Sequence, residues 1–379
     1  MPSADRISEM LGGTAPGENE VRIQFTTDGL VLTGWKAVRI TRSIEIGTSY
    51  FEMRCSSDAN AFKLISKEGA PVKITVGQDI VLSGYLETVE NILTPKFHDL
   101  VLSGRGKCAD LIDCSCRIDR VNVAATLESL ATSIAAPYGI DIFIPPNGTQ
   151  AILDALPKLP RQLVSITETA WEVIERYARY CGVLIFESEE GELTLSTAGT
   201  ELSASGVGEG ANIEAITCTK TTLGTYSTYN AVLSAYSAST DDEGVVNMPA
   251  VTVVAQASRL RPTFFVSEQS ATDRRFIEKR VNWMAARAYG RSRRVRVLTD
   301  GWRAEDGSPW LVNVNYPVSA PSVGVPERTI LLLIEATFIF DENGHHAELG
   351  FAPRQGFIPE PVALDTLPMD ESTTSGVQQ

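Results

Sequence analysis

The stretch 72–116 constrains the fold of this chain more than any other segment, because it predicts three consecutive β-strands. Its first residues, VKITV, alternate apolar and polar side chains with the period of a half-buried strand. A longer strand is expected over 80–93, with Gly84 inside it, where a glycine often marks a bulge or a sharp bend. After a turn at Thr-Pro-Lys, a third strand returns over 97–103. The stretch therefore predicts an antiparallel sheet of the kind that forms small barrels.

Further short strands precede this stretch. Alternating apolar residues predict them at three places: 21–25, 30–46 and 50–55. With the strands above, this makes roughly six or seven strands in about 90 residues, the spacing expected of a small barrel. We therefore expect a first β-barrel domain at 19–107, after a loose N-terminal segment at 1–18 that is rich in Gly, Ser and Pro.

The hydrophobic period changes after this domain. Apolar residues at helical spacing predict helices over 124–136 and 169–181, and the second helix opens with the T-x-x-E pattern of a capping box at Thr169. An apolar strand and a short turn follow it. These features predict an α/β domain at 108–200, which a linker rich in Gly and Ser at 201–210 connects to the remainder of the chain.

Strands resume after the linker. Their predicted positions are 211–222, 228–237, 250–257, 293–299, 310–316, 329–340 and 346–351. A helix is expected among them over 272–289, with Gly290 at its end. We assign 211–352 to a second β-barrel domain that carries this helix. The remainder, 353–379, has four prolines and no Lys or Arg after Arg354, which predicts an extended or disordered tail.

Two segments of the chain resemble each other. LETVENILTPKFHDLV, from Leu86, and IEATFIFDENGHHAEL, from Ile334, both begin with an apolar-Glu pair and turn at the same offset. The predicted fold class is therefore mainly β with α/β parts: two similar small β-barrel domains, an inserted α/β domain and a C-terminal extension.

Composition and motifs narrow the possible functions. The net charge is −14 at pH 7, and an acidic chain is a poor candidate for gripping the phosphates of nucleic acid. The 6 cysteines form no C-x-x-C pair and there are only 3 histidines, so neither a metal nor a cofactor is predicted. Neither H-E-x-x-H nor G-x-S-x-G is present, and we predict that the chain is not an enzyme. No apolar run approaches the roughly 20 residues that span a membrane, and no signal-peptide core opens the chain, which predicts synthesis in the cytoplasm.

One basic cluster stands out in this acidic chain. Its members are Arg274, Arg275, Lys279, Arg280, Arg287, Arg291, Arg293, Arg294 and Arg296. On a helix, Arg280, Arg287 and Arg291 share one side. Three interpretations remain open: a solvated helix face with local ion pairs, an interface with carboxylates of another subunit or of a tube protein, and contact with nucleic acid.

Several spaced motifs resemble the baseplate hub proteins of contractile phage tails, in particular those of the Mu type. The matching residues in the opening stretch are Gly77, Gly84, Tyr85, Gly104, Arg105, Ala109, Asp110, Leu111, Asp113, Cys114 and Ser115. The segment WEVIERYARYCGVLIFESEEGELTLS, which ends at Ser196, is also similar to this family. The resemblance implies a homotrimeric ring with two barrels per subunit. That ring joins a hexameric tail tube to a trimeric spike that punctures the host envelope, and it forms part of the DNA channel.

The resemblance also implies the partners and the location. The partners would be further copies of the chain, the tail-spike protein, the tail-tube protein and other baseplate proteins, without sequence-specific nucleic-acid binding or membrane insertion. The location would be the baseplate of a virion tail, assembled in the host cytoplasm. Three alternatives stay open: a cell-wall hydrolase, a carbohydrate-binding tail module, and the hub domain of a contractile secretion system, which is related to type VI secretion spike proteins.

Overall fold

The structure is a computed structural model. It describes residues 17, 19–57, 67–117, 126–146, 149–154, 159, 164–165, 167–235, 246–254, 259–267 and 274–359. The strands are β1 (Val21–Phe25), β2 (Val31–Leu32), β3 (Ala37–Ser43), β4 (Tyr50–Ser56), β5 (Pro71–Val76), β6 (Asp79–Leu93), β7 (His98–Gly106), β8 (Ile142–Phe143), β9 (Leu184–Glu187), β10 (Leu193–Ser196), β11 (Val207–Gly208), β12 (Ile213–Lys220), β13 (Thr228–Ala235), β14 (Val246–Val254), β15 (Pro262–Ser267), β16 (Arg293–Asp300), β17 (Asn315–Ala320), β18 (Val325–Asp341) and β19 (Gly344–Ala352). The helices are α1 (Ala109–Asp113), α2 (Leu127–Ala135), α3 (Thr149–Asp154), α4 (Ala170–Cys181) and α5 (Arg274–Arg291), with 3-10 turns at Ala136–Tyr138, Pro321–Val323 and Arg354–Phe357.

A 13-stranded sheet organises the molecule, with the order β12-β16-β19-β18-β3-β4-β7-β6-β5-β1-β2, while β17 pairs with β18 and β11 with β17. Two runs of four strands in it have the same arrangement, β4-β7-β6-β5 and β16-β19-β18-β17. In each run, the strand that comes first in the chain (β4 or β16) pairs with the strand that comes last (β7 or β19). The three later strands (β5–β7 or β17–β19) form an antiparallel meander. The similar segments that begin at Leu86 and Ile334 lie on the long hairpins β6–β7 and β18–β19, which are equivalent in the two runs.

The mainly β prediction is confirmed, but the two closed barrels are not found. Within the described strands, the path of hydrogen-bonded neighbours begins at β12 and stops at β2 without closing on itself. Gly84 was predicted to mark a bulge or bend, whereas it is paired regularly with Gly106. A side chain there is excluded for another reason: a Cβ on Gly84 would lie 2.0 Å from the carbonyl oxygen of Arg105.

Two predicted strands are wrong in extent, in each case because one residue adopts a left-handed backbone. The strand expected over 30–46 is divided into β2 and β3, and Gly34 between them has a φ of 80°. The strand expected over 310–316 is instead a turn followed by β17, and Asn313 in this turn has a φ of 64°. The other missed elements, β11 and β15, are short or lack clear alternation in their sequence.

Strands β3 and β18 join the two halves of the large sheet. They pair antiparallel, with Ile40 opposite Phe338, and the hydroxyls of Thr41 and Thr337 lie 3.0 Å apart. Both Ile40 and Phe338 belong to one hydrophobic cluster that contains residues from both halves. Strand pairing and shared burial therefore make the two halves a single packed unit.

A second hydrophobic core lies over 108–195 and packs α2 and α4 around a three-stranded sheet, β8-β10-β9. The predicted capping box of α4 is present, because Thr169 accepts from the backbone N–H of Glu172 and the Glu172 carboxylate accepts from that of Thr169. Gly182 ends the helix with a φ of 70°. Helix α2 begins after Thr126, which caps it; residues 124 and 125 of the predicted helix lie outside the described residues.

A third, smaller sheet, β14-β13-β15, packs against α5. In the chain it lies between β12 and β16 of the large sheet, before the second run of strands begins. The segment predicted as an extended tail begins instead with a 3-10 turn, in which Phe357 is buried. Residues 360–379 lie outside the described residues.

Shared packing across β3 and β18 predicts that the two halves unfold together. Ile40→Ala removes a fully buried side chain at this seam and should lower the free energy of unfolding by about 2–5 kcal/mol. The neighbouring exposed Arg39→Ala is the matched control and should change it by about 0.5 kcal/mol or less. Urea unfolding followed by tryptophan fluorescence and by circular dichroism measures both. Two separate transitions, with only the earlier one shifted by Ile40→Ala, would contradict a single unit.

Candidate functional site

The predicted interface arginines lie on α5, which a small apolar core fixes in place. Ile277 and Val281 on the helix are buried with Tyr229 of β13. The predicted limits of the helix need correction: α5 continues through Gly290 to Arg291, and residues 272 and 273 of the predicted helix lie outside the described residues. Gly290 is needed for close packing inside the helix, since a Cβ on it would lie 2.3 Å from the amide nitrogen of Gly356.

Two of the three predicted arginines meet in one cleft. The guanidinium of Arg287 lies 4.8 Å from the centroid of the Trp283 ring, and Nη2 of Arg291 lies 3.8 Å from Oε1 of Glu45. Both arginines line a cleft of about 410 Å³ between α4 and α5, which we call the α4–α5 cleft. Arg280 is placed elsewhere, about 10 Å along the helix axis from Arg287, with its guanidinium 5.9 Å from the ring of Phe265.

The walls of the α4–α5 cleft come from four parts of the chain. Its lining residues are Ile44, Glu45, Ile46, Gly47, Trp171, Glu175, Arg179, Val183, Leu184, Ile185, Arg287, Arg291, Gly356, Phe357, Ile358 and Pro359. Helix α4 contributes Trp171, Glu175 and Arg179, which are four residues apart and therefore lie on one face. Gly47 allows the β3–β4 loop to approach this helix, because a Cβ there would lie 2.8 Å from the Trp171 ring. The cleft thus combines apolar surface with arginines and carboxylates.

A buried carboxylate holds the loop on one side of this cleft to the rest of the molecule. The two oxygens of Glu187 accept hydrogen bonds from the backbone N–H groups of Cys108, at 2.8 Å, and Ser49, at 2.6 Å. Burial raises the pKa of Glu187, and these two donors act in the opposite direction because they favour the ionised form. Gly106 packs directly on the carboxylate, and a Cβ there would lie 1.9 Å from Oε2.

A buried arginine lies beside this carboxylate. Arg42 on β3 forms an ion pair with Glu189 and donates a hydrogen bond to the backbone oxygen of Glu187, at 3.4 Å. Burial acts to raise the pKa of Glu189, but the charge and hydrogen bond of Arg42, together with a hydrogen bond from the Glu189 backbone, outweigh it, and the pKa of Glu189 is lowered. The large sheet and the second core are therefore joined by charged groups that are removed from water, where losing one partner is costly.

The motif residues after β7 form a surface ion-pair network. The guanidinium of Arg105 lies 2.6 Å from Glu87 and 2.6 Å from Asp113. Hydrogen bonds that Arg105 donates to both carboxylates raise its pKa, and the hydrogen bond to Asp113 lowers the pKa of that carboxyl. This network connects β6 and β7 with α1 and has the geometry of a structural clamp. The glycine-rich sequence around Arg105 is thus part of strand β7.

His345 and His346 are adjacent on β19 but contact different groups. His345 stacks on Phe340 with ring centroids 4.6 Å apart, while Nδ1 of His346 lies 2.8 Å from a carboxylate oxygen of Glu214. The two side chains therefore have separate partners. Across the described ranges, no group of three or more His, Cys, Asp or Glu residues is arranged to hold a metal ion. The helices that the structure describes include none that is long and apolar enough to cross a membrane.

Three family models match this chain one after another. They are the N-terminal domain of Mu phage baseplate assembly protein GpP-like proteins at residues 22–106, the second domain of gp44-like baseplate hub proteins at 108–197, and the fourth domain of Mu phage baseplate assembly protein GpP at 274–360. The resemblance to baseplate hub proteins of the Mu type that the sequence predicts is confirmed.

Individual proteins agree with these models. The chain is 26% identical to baseplate hub protein gp44 of Escherichia phage Mu over 350 residues, which cover 90% of each chain. In fold it is similar to the 43 kDa tail protein of prophage MuSo2 from Shewanella oneidensis, with a TM-score of 0.76 and 23% identity over 90% of this chain and 99% of that one. It is also similar in fold to an Escherichia coli component of the type VI secretion system, with a TM-score of 0.55 and 8% identity over 87% of this chain and 77% of that one.

Sequence patterns did not identify the charged junction around Glu187. This residue ends the apolar strand β9, and a carboxylate at the end of a strand is more often exposed in the following turn. Its partners, Cys108 and Ser49, are distant in the chain and contribute backbone groups, which leave no trace in residue type. Gly106 was the available signal, because a glycine inside a regular strand suggests that another group approaches closely.

A double variant tests the contact between Gly106 and Glu187. Gly106→Ala should lower the free energy of unfolding by more than about 3 kcal/mol, because the new methyl group collides with the Glu187 carboxylate. Glu187→Ala alone should also destabilise the protein, by about 2–4 kcal/mol, since two buried N–H groups lose their acceptor. The double variant should be clearly more stable than the sum of the two losses predicts. Urea unfolding of the four proteins measures this coupling, and simple additivity would show that the contact is not formed.

Proposed function

We propose that this chain is the structural, non-enzymatic hub of a contractile phage tail baseplate. The observation that carries the proposal is the order of hub-family domains along one chain, at 22–106, 108–197 and 274–360. In the fold, the first and the last of these regions contribute the two similar runs of strands, and the middle region contributes the second core. The proposed location is the virion tail, with assembly in the host cytoplasm.

The two similar runs support a division into two barrel-like domains at 19–107 and 211–352. Between them we propose the α/β domain at 108–200 and the linker at 201–210, with 1–18 and 353–379 as terminal segments. If three copies form a closed ring, their two similar halves give 3 × 2 similar positions around the axis. Such a ring can meet a hexameric tail tube on one face and a trimeric spike on the other.

Electrostatics supports a passage for DNA through such a ring. Three copies carry a formal charge of 3 × −14 = −42. If part of this charge faces the channel, DNA passes without adhering to the wall, because like charges repel. The mechanism we propose is therefore geometric: matching of symmetries, an open channel, and transmission of force when the sheath contracts.

The arginines of α5 are the proposed contact with another subunit or with the tail tube. Arg287 and Arg291 lie together in the α4–α5 cleft, and Arg280 lies on the same helix toward β15. Guanidinium groups held by stacking or by an ion pair are already oriented, so that pairing with carboxylates of a partner costs them little further freedom.

A hub domain of a contractile secretion system is the second candidate. The likeness in fold to the type VI secretion component favours it, although at 8% identity this likeness concerns the fold alone. The two candidates differ in the tube protein that the chain should bind, so purified tube proteins of both kinds distinguish them.

The first test of the hub role is the mass of the purified chain in solution. Light scattering across a concentration series should give about three times 41.1 kDa, because a ring of three copies buries strand edges that are open in one copy. After mixing with the spike protein, the mass of the complex should still correspond to three copies of this chain. A chain that stays monomeric both alone and with the spike protein would contradict the trimeric ring.

Charge reversal tests the arginine contact separately. Arg280→Glu together with Arg287→Glu should abolish trimer formation or weaken binding to the tail-tube protein at least about tenfold, since attraction to carboxylates becomes repulsion. Arg328→Glu, at an exposed position on β18, is the matched control and should leave both unchanged. If the double variant assembles as the wild type does, the arginines of α5 are a solvated helix face.

A further inference from the structure

We propose that the α4–α5 cleft is the docking site of this chain's own acidic C-terminal segment, residues 360–371. Ile358 and Pro359, at which the described part of the chain ends, themselves line this cleft. The occupant is argued from three properties of the chain: where the described residues stop, the charges on both sides, and the distance to be covered.

Residues 356–359 are held in a fixed position at the cleft. The indole Nε1 of Trp283 donates a hydrogen bond to the backbone oxygen of Ile358, at 2.6 Å. About two turns farther along α5, Gly290 lies against Gly356 so closely that neither position leaves room for a larger residue without movement. Phe357, which lies between Gly356 and Ile358 in the sequence, is buried. The chain is therefore held at the wall of the cleft as far as Pro359.

The charges of the two parts are complementary. Four carboxylates follow within the segment, from Glu360, Asp365, Asp370 and Glu371, and the chain has no Lys or Arg after Arg354. The cleft presents Arg179, Arg287 and Arg291. Of its own carboxylates, Glu45 is shared between Arg291 and Arg294, at 3.8 and 2.7 Å. Carboxylates of the segment can thus form charge-assisted hydrogen bonds with the arginines of the cleft.

Apolar residues of the segment fit the same surface. Val362, Leu364 and Leu367 lie between Glu360 and Asp370 in the sequence, and the cleft offers the Trp171 ring and the half-exposed side chain of Ile46. A segment with this composition can bury apolar side chains while its carboxylates meet guanidinium groups at the rim. The volume of about 410 Å³ holds a few side chains rather than a folded element.

The distance is short enough for contact within one chain. An extended chain covers about 3.3 Å per residue, so Asp365 can reach about 20 Å from Pro359. The wall of α4 from Trp171 to Arg179 is only about 12 Å long. A tether this short gives a local concentration in the millimolar range, at which even a weak contact is well populated.

This self-contact does not depend on the baseplate role. Its consequence does rest on the proposed function: if Arg287 and Arg291 contact a partner, the acidic segment competes for the same arginines.

The contact is tested by photo-cross-linking in the full-length chain. A benzophenone amino acid in place of Leu364 should form cross-links within one chain to peptides that contain Trp171–Arg179 or Trp283–Arg291. Arg179→Gln together with Arg287→Gln should lower the yield by roughly three- to tenfold, because two charge pairs are lost. Arg328→Gln is the matched control and should leave the yield unchanged. Circular dichroism and the thermal midpoint establish that each variant is folded.

The origin of the cross-link is decided by isotope labelling. When ¹⁵N-labelled and unlabelled chains are mixed before irradiation, the two peptides of each cross-linked pair should be either both labelled or both unlabelled. Peptides of mixed label, or cross-links that fall outside the two helices, would overturn the proposal. So would an unchanged yield in the arginine variant. None of these results affects the mass of the chain in solution, so failure here is distinct from failure of the trimeric ring.

Discussion

The pairing of β3 with β18 is the interaction on which the other features depend. It makes two similar runs of strands into one sheet, and it also sets the start of the β3–β4 loop. Just beyond the paired region, the Ser43 hydroxyl and the Ile44 N–H both donate to the backbone oxygen of Ile334. The following residue is Glu45, whose carboxylate meets Arg291 and Arg294. A contact between two sheet halves thus determines where the arginines of α5 are held.

The other end of the same loop depends on a different kind of force. Ser49 donates its N–H to the buried carboxylate of Glu187, and Gly47 between the two ends packs on Trp171. One loop is therefore anchored by strand pairing on one side and by a desolvated carboxylate on the other. Buried charged groups are costly when a partner is lost, so the anchor at Glu187 holds the large sheet in one position against α4. Its main effect is this fixed position, because burying the charge offsets much of the stability that the contact adds.

Local patterns predicted the elements whose stability is local. The capping box at Thr169, the glycine that ends α4 and the long hairpins follow from residue type and spacing, and they are present as predicted. The left-handed backbone of Asn313 and the identity of the carboxylate that approaches Gly106 were not predictable in this way, because each involves a segment far away in the chain. The cleft could not be predicted for the same reason, since its walls come from four separate segments, although the arginine cluster on α5 was visible in the sequence.

Two arginines of the α4–α5 cleft are held in place: Arg287 stacks on the ring of Trp283, and Arg291 lies 3.8 Å from Glu45. Because a local ion pair also suits a solvated helix face, the stacking of Arg287 is the feature that supports the proposed recognition surface. Orienting a guanidinium in advance lowers the entropy lost when it pairs with a carboxylate, and a neighbouring ring keeps water from one side of it. Both effects strengthen a contact that forms later. In a chain with a net charge of −14, arginines held in this way are most useful where another acidic surface must be bound in a defined orientation.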